Sequence, residues 1–337
     1  MTASADPTEG APKPAPEPVV TRARRLLPRI LPVTSLAFSV TTATLMNRRP
    51  ERAPLIVAFA LLGWALVIVT TLVLRRTADA DHRRAKVQRF VSLVASQTLI
   101  GQALAFPLPF FALASSWPPP VLHLPFALAY LVAVIVTAWD PFFERVAARL
   151  PLILALQAFA AGAALLAVLP MLGLSNTRTF LVTSGVVGLG LPLGALLLSD
   201  RSPRAVLVGL LAAVACALMV FVGAPLVPPA PLRLERGVMA MNVLDREPVG
   251  AARRFPSTTP QLLCHTAIAA PLGLKDALMH VWSRDGVILQ QVELDVSGTG
   301  KSFRTWSRLT RPRPGRYRCR IETHRGQVVG EVRAVVE

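Results

Sequence analysis

The sequence predicts an α-helical membrane bundle of about seven spans followed by an all-β, immunoglobulin-like sandwich domain. Three observations carry that expectation. Only 16% of the 337 residues are charged and 53% are hydrophobic, whereas a soluble globular domain is about 25% charged. The apolar residues are gathered between Ile30 and Val227 in runs close to the ~20 residues that a spanning helix needs. After Pro228 the pattern changes to short alternating runs broken by Gly, Pro and Asp, as strands are.

Residues 1–29 read as a disordered, basic N-terminal tail. The first part is rich in Pro, Ala and Glu and has little to bury, and Asp6, Glu9 and Pro12 precede any apolar run, the reverse of a secretory signal. The bundle, 30–228, has runs at about 30–46, 54–74, 90–114, 121–138, 150–171, 179–199 and 205–227. The first is the weakest, because it is short and holds Pro32 with several Ser and Thr, so it either crosses or lies on the surface. Lys and Arg gather on the cytoplasmic side of spans. Arg75, Arg76, Arg83, Arg84, Lys86 and Arg89 therefore set the loop after the second run inside. Loops 116–120 and 172–178 then fall outside, 139–149 and 200–204 inside, and the C-terminal segment outside, which in a bacterial inner-membrane protein is the periplasm.

Residues 229–258 read as a linker with the first strand, and 259–337 as the main part of the sandwich. Strands are expected at 237–244, 261–269, 277–284, 287–296, 301–309, 315–323 and 327–336, with hairpin turns at Arg284-Asp285-Gly286-Val287 and His324-Arg325-Gly326-Gln327. Cys264 and Cys319 both lie on strands of the domain assigned to the oxidising side, with Trp282 between them and Tyr317 two residues before Cys319. True immunoglobulin domains order a cystine, a core Trp and a Tyr in this way. The two residues form a disulfide or remain a pair of buried thiols.

Period-two alternation groups Arg304, Trp306 and Arg308 on one strand face, His280, Trp282 and Arg284 on another, and Arg316, Arg318 and Arg320 on a third. Were these faces to coincide, they would form a cationic, aromatic binding surface; the competing reading puts the Trp residues in the core and the arginines on a solvated face. No nucleophile or carboxylate around His280 is identifiable, so no catalytic residue is expected. Three cysteines and five scattered His give no metal-site spacing, and neither metal nor other cofactor is expected. The glycines of 188–194 lie in an apolar span without a P-loop Lys, and read as helix packing. Polar residues within the spans are sparse: Gln97, Gln102 and Gln157, with His123, Asp140 and Glu144 near span ends.

His280-Val-Trp282, Gly286, Ser302-Phe-Arg304-Thr305-Trp306-Ser307, Gly315-Arg-Tyr317 and Gly326-Gln-Val resemble the bacterial domain-of-unknown-function family 2914. The resemblance covers about the last 100 residues. It implies a C-terminal domain attached to a multi-span membrane region, and it brings no established activity. Tyr317 stands where that family more often has Trp, and Cys319 is not part of its pattern.

The function expected is therefore an integral membrane protein that presents an extracytoplasmic sandwich to an envelope component or partner protein. An anionic glycan, a lipid headgroup or an acidic protein would suit His280, Trp282, Arg304, Trp306, Arg308, Arg318 and Arg320. The alternative is a carrier or lipid-modifying activity inside the bundle, with the sandwich as accessory. The net charge of +17 does not imply nucleic acid. Up to Arg204, 19 Lys+Arg serve mainly orientation, and beyond residue 229 a further 17 oppose ten Asp+Glu.

Overall fold

The computed structural model describes residues 41, 82–114, 120–198, 203–230, 232–270, 274–298 and 302–337. The basic tail and the first two apolar runs, 30–46 and 54–74, lie outside the described residues apart from Thr41. The helical part comprises α1 (His82–Ala105), α2 (Leu108–Ala114), α3 (Leu124–Ala138), α4 (Asp140–Ala147), α5 (Leu150–Met171), α6 (Asn176–Leu198) and α7 (Pro203–Val222). Within it, Leu93–Ala112, Val121–Ala138 and Pro151–Met171 are long and apolar enough to cross a membrane. The third apolar run is not one helix. It breaks at a turn around Pro107, whose ring cannot continue the hydrogen-bond ladder.

Proline also sets where these helices begin. Pro125, Pro141 and Pro151 stand in the first turns of α3, α4 and α5, where a missing N–H costs nothing. The helices meet through small side chains and rings: Ala160, Ala163 and Ala167 of α5 are buried, and Phe111, Phe126, Tyr130 and Phe159 form a chain of edge and tilted ring contacts. The opposite faces expose Leu128, Leu131 and Ile135 on α3 and Leu207, Leu210 and Leu211 on α7, the distribution of a helix in an apolar solvent. Gln97 ties α1 to the α3–α4 corner, donating to Thr137 O and to the Asp140 carboxylate, both at 2.9 Å.

The C-terminal domain is all β. A three-stranded sheet has the order β1 (Arg233–Ala240), β5 (Gln261–Ala269), β8 (Phe303–Thr310). A five-stranded sheet has the order β4 (Arg254–Phe255), β10 (Val328–Val336), β9 (Gly315–Thr323), β6 (Lys275–Arg284), β7 (Val287–Ser297). Pairing is antiparallel throughout except for β4, which runs parallel to β10. Leu262, Cys264 and Ile268 of the smaller sheet pack against Leu278, Trp282, Tyr317, Cys319 and Ile321 of the larger one. The expected strands 261–269 and 315–323 recur residue for residue, and Asp285 (φ 50°) with Gly286 (φ 88°) makes the tight two-residue turn between β6 and β7.

Residues 229–258 differ from a linker with one strand. The first strand runs Arg233–Ala240 instead of 237–244, because the chain leaves the sheet at Met241 to build a separate hairpin, β2 (Asn242–Leu244) with β3 (Glu247–Val249). Its tip, Asp245 and Arg246, takes positive φ at both positions. The segment then supplies β4, so it is integral to both sheets.

The sandwich sits on the bundle end that carries the N-terminus of α6. The Asp276 carboxylate accepts the Asn176 N–H at 3.0 Å, where the helix dipole favours a negative charge. Gln327 accepts from the Asn176 side chain and donates to Val227 O at 2.9 Å. The Arg325 guanidinium lies 4.0 Å from the centre of the Phe221 ring.

Candidate functional site

Two constellations take up the residues singled out from the sequence. In the core, Cys264 and Cys319 form a disulfide between the sheets, with Cα atoms 6.4 Å apart, so the alternative of two free thiols is set aside. Trp282 lies beside it, fully buried and opposite Cys319 in the β6–β9 register. The Tyr317 hydroxyl donates back to Arg313 O at 2.7 Å and pins the approach to β9.

His280 is also fully buried, and the structure supplies hydrogen-bond partners that could not be identified from the sequence. Trp282 Nε1 donates to Ser307 Oγ at 2.8 Å, and Ser307 Oγ lies 2.8 Å from His280 Nδ1. His280 Nε2 meets Thr266 Oγ1 at 3.2 Å, and Thr266 in turn donates to Thr305 O at 3.3 Å. Every group is satisfied when Ser307 donates to Nδ1 and a neutral imidazole donates from Nε2. Burial pushes this imidazole down to about 4. His280 and the two sulfurs come within 4.8 Å of one another, a grouping with ligand chemistry, but the sulfurs are bonded and both ring nitrogens are engaged. The cluster is closed to substrate and holds the sheets together. Ser307 and Thr266 were invisible as its partners because they sit on β8 and β5, and only the facing of the two sheets brings them to β6.

The cationic, aromatic surface does not form as one face. His280 and Trp282 point into the core. Arg304, Trp306 and Arg308 are exposed on the outer side of the three-stranded sheet, and Arg316, Arg318 and Arg320 lie on the outer side of the five-stranded sheet, across the whole thickness of the sandwich. The first group is moreover engaged with the β2–β3 hairpin. Arg304 pairs with Glu247 at 2.5 Å, Trp306 stacks on His265 with 8° between the rings, and His265 Nε2 donates to Arg246 O at 3.0 Å. Arg308 gives its carbonyl to Gln290. Arg320 is paired with Glu322, whose carboxyl is pushed up by burial.

What remains open is a groove of about 610 Å³ on the outer face of the five-stranded sheet, lined by Arg253, Arg316, Arg318 and Arg333 with Ser283 and the Asp285-Gly286 turn. It lies at the end of β9 opposite to the junction with the bundle, so seven residue-to-residue steps of strand, roughly 23 Å, separate Arg316 from Thr323. Glu331 pairs with both Arg318 and Arg333. Among the described residues Arg253 and Arg316 have no carboxylate within ion-pair distance. Asp285 is engaged with the backbone, accepting the Arg316 N–H at 3.0 Å. Four guanidinium forks on one concave face thus exceed the local carboxylates, the condition for holding an anion. Arg316 and Arg318 were legible as one face of β9, whereas Arg253 and Arg333 join only through the β4–β10–β9 pairing.

Comparison with curated proteins gives no match to the chain. Two family models match. One, described as a protein of unknown function (DUF2914), covers residues 275–336, in agreement with the resemblance drawn from the C-terminal motifs. The other covers residues 13–263, from the tail through the helices and into β5, and the chain accordingly belongs to the family of unknown function DUF5924.

Proposed function

We propose that the protein is a multi-span membrane receptor or scaffold whose immunoglobulin-like sandwich stands outside the cytoplasm and binds an anionic envelope component in the groove of Arg253, Arg316, Arg318 and Arg333. The convergence of these four arginines on one concave face carries the reading. The immunoglobulin-like assignment is supported by the β5–β9 cystine, the core Trp282 on β6 and the Tyr317 corner. The sidedness is supported by contact. The sandwich rests on Asn176 and Val227, which belong to the bundle end opposite to the arginine-bearing corner 139–149. The seven-span count rests on the seven apolar runs in the sequence. A binding role, with no chemistry performed in the sandwich, agrees with the closed hydrogen bonding of His280.

A reporter fused after Glu337 should be active only outside the cytoplasm, and the full chain in nanodiscs should bind a polyanion such as heparin. Arg316→Ala with Arg333→Ala should weaken that binding at least tenfold and steepen no other property. Unchanged heparin binding in the double variant would remove the groove from the reading. The alternative, an activity inside the bundle, is favoured by Thr179 and Thr183 of α6, whose fully buried hydroxyls have no hydrogen-bond partner among the described residues. Loss of function on Thr179→Val with Thr183→Val, with a sandwich deletion tolerated, would move function there.

A further inference from the structure

The register of the five-stranded sheet places something beside the arginines that the charge pattern does not reveal. On its outer face one row runs across four strands: Arg333 of β10 opposes Arg318 of β9, Arg318 opposes Ser283 of β6, and Ser283 opposes Ile288 of β7. The row is cationic at one end, dips at the small Ser283, and ends on an aliphatic side chain. Three strand spacings, ~14 Å, separate its ends. Ile288 is 54% exposed, and it belongs to a run, Val287-Ile288-Leu289, in which Val287 is 67% and Leu289 40% exposed. This run directly follows the Asp285-Gly286 turn that lines the groove, and β7 is the edge strand of its sheet. Three consecutive exposed aliphatic residues at the rim of an arginine groove are costly to leave in water and have no covering element among the described residues.

We infer that the groove takes an anionic amphiphile, a phosphate or carboxylate head joined to an aliphatic chain, laid across the strands with its head among Arg316, Arg318 and Arg333, where Arg316 adds charge that Glu331 does not offset, and its chain over Ser283 onto Ile288. This rests on the anion-binding reading of the groove and adds the tail. A head alone would satisfy the guanidinium forks and leave the aliphatic run bare; a neutral apolar ligand would leave the arginines unmatched. The groove opens at the end of the sandwich away from the bundle, so the ligand is one that reaches it from solution and not a lipid of the bilayer in which the protein sits.

The test is calorimetric titration of the full chain in zwitterionic-lipid nanodiscs with octyl phosphate, inorganic phosphate and octyl glucoside, each corrected against empty nanodiscs. Octyl phosphate should bind at least tenfold more tightly than either of the others, about the effect of burying two methylenes. Ile288→Asn, at an exposed position that the core does not need, should reduce octyl phosphate to the affinity of inorganic phosphate and leave phosphate itself unchanged. Equal binding of octyl phosphate and inorganic phosphate would overturn the amphiphile and keep the anion site. Binding of neither anion would overturn both, and tighter binding of octyl glucoside than of octyl phosphate would leave only an apolar patch.

Discussion

At the scale of single residues the core histidine makes the sharpest demand. His280 titrates at about 4 in the folded chain against 6.5 for the free group, because burial disfavours the imidazolium. The unfolded chain therefore takes up the proton first. The stability that the neutral ring contributes is complete above about pH 6.5 and is lost as pH falls toward 4, on the order of 3 kcal/mol in all. Asp276 and Glu322, lifted by burial, act in the opposite sense, so the quantity to measure is the difference between the wild type and His280→Gln. The amide can still accept from Ser307 and donate to Thr266, but it does not titrate. Urea unfolding of the sandwich at pH 7.5 and pH 4.5 should show the wild type losing about 2–3 kcal/mol more than the variant across that interval; equal losses would mean that His280 is solvated. That His280 and Trp282 share a strand face was legible from two-residue alternation; that this face points inward was not, since alternation does not say which side of a sheet is covered. Nor was their partner Ser307, because a hydroxyl on another sheet has no signature in local spacing.

At the scale of elements, strands were legible and their neighbours were not. The apolar run in 261–269 and the alternation in 315–323 set these strands to the residue: β5, between β1 and β8, is buried on both faces, whereas β9 buries alternate residues over its first half against the other sheet. The same alternation cannot say which strands share a sheet. That is why Arg304 and Arg318 looked like parts of one surface while β8 and β9 belong to opposite sheets. The β2–β3 hairpin escaped because its tip is Asp245-Arg246, without the Gly that usually marks φ > 0. The β9–β10 turn carries the docking to the helices. Gln327 is 2% exposed and bridges the Asn176 side chain to Val227 O, with Thr323 donating to it at 3.3 Å. Gln327→Ala leaves a buried amide and a buried carbonyl unpaired, which costs about 1–3 kcal/mol. It should raise the rate of proteolytic cleavage in 223–232 about tenfold or more in nanodiscs, while the melting of the sandwich itself changes little. Unchanged cleavage would show that the bridge does not hold the two parts together.

At the scale of the whole molecule, the boundary between the two family matches falls inside one folded unit. The first match ends at 263, inside β5, and the second begins at 275, the first residue of β6. Yet β8 pairs with β5 alone, and the cystine joins Cys264, the first residue past the end of the first match, to Cys319 inside the second. Residues 275–336 by themselves would leave β8 without a partner and expose Leu278, Trp282 and Ile321, which Leu262, Cys264 and Ile268 now cover. They would also forgo the cross-link, which closes a loop of 55 residues and on the chain-entropy account contributes about 4 kcal/mol. The smallest unit able to bury its own core is therefore 229–337, even though 229–258 reads as a connector in the sequence. A fragment 275–337 should give a collapsed amide spectrum, no near-ultraviolet signal from Trp282 and no cooperative melt. The oxidised fragment 229–337 should show all three signs of a packed core and lose them on Cys264→Ala with Cys319→Ala or on reduction at elevated temperature. Cooperative unfolding of 275–337 alone would mean that the larger sheet is self-sufficient, and the three-stranded sheet would then be a cover contributed by the membrane-bound half of the chain.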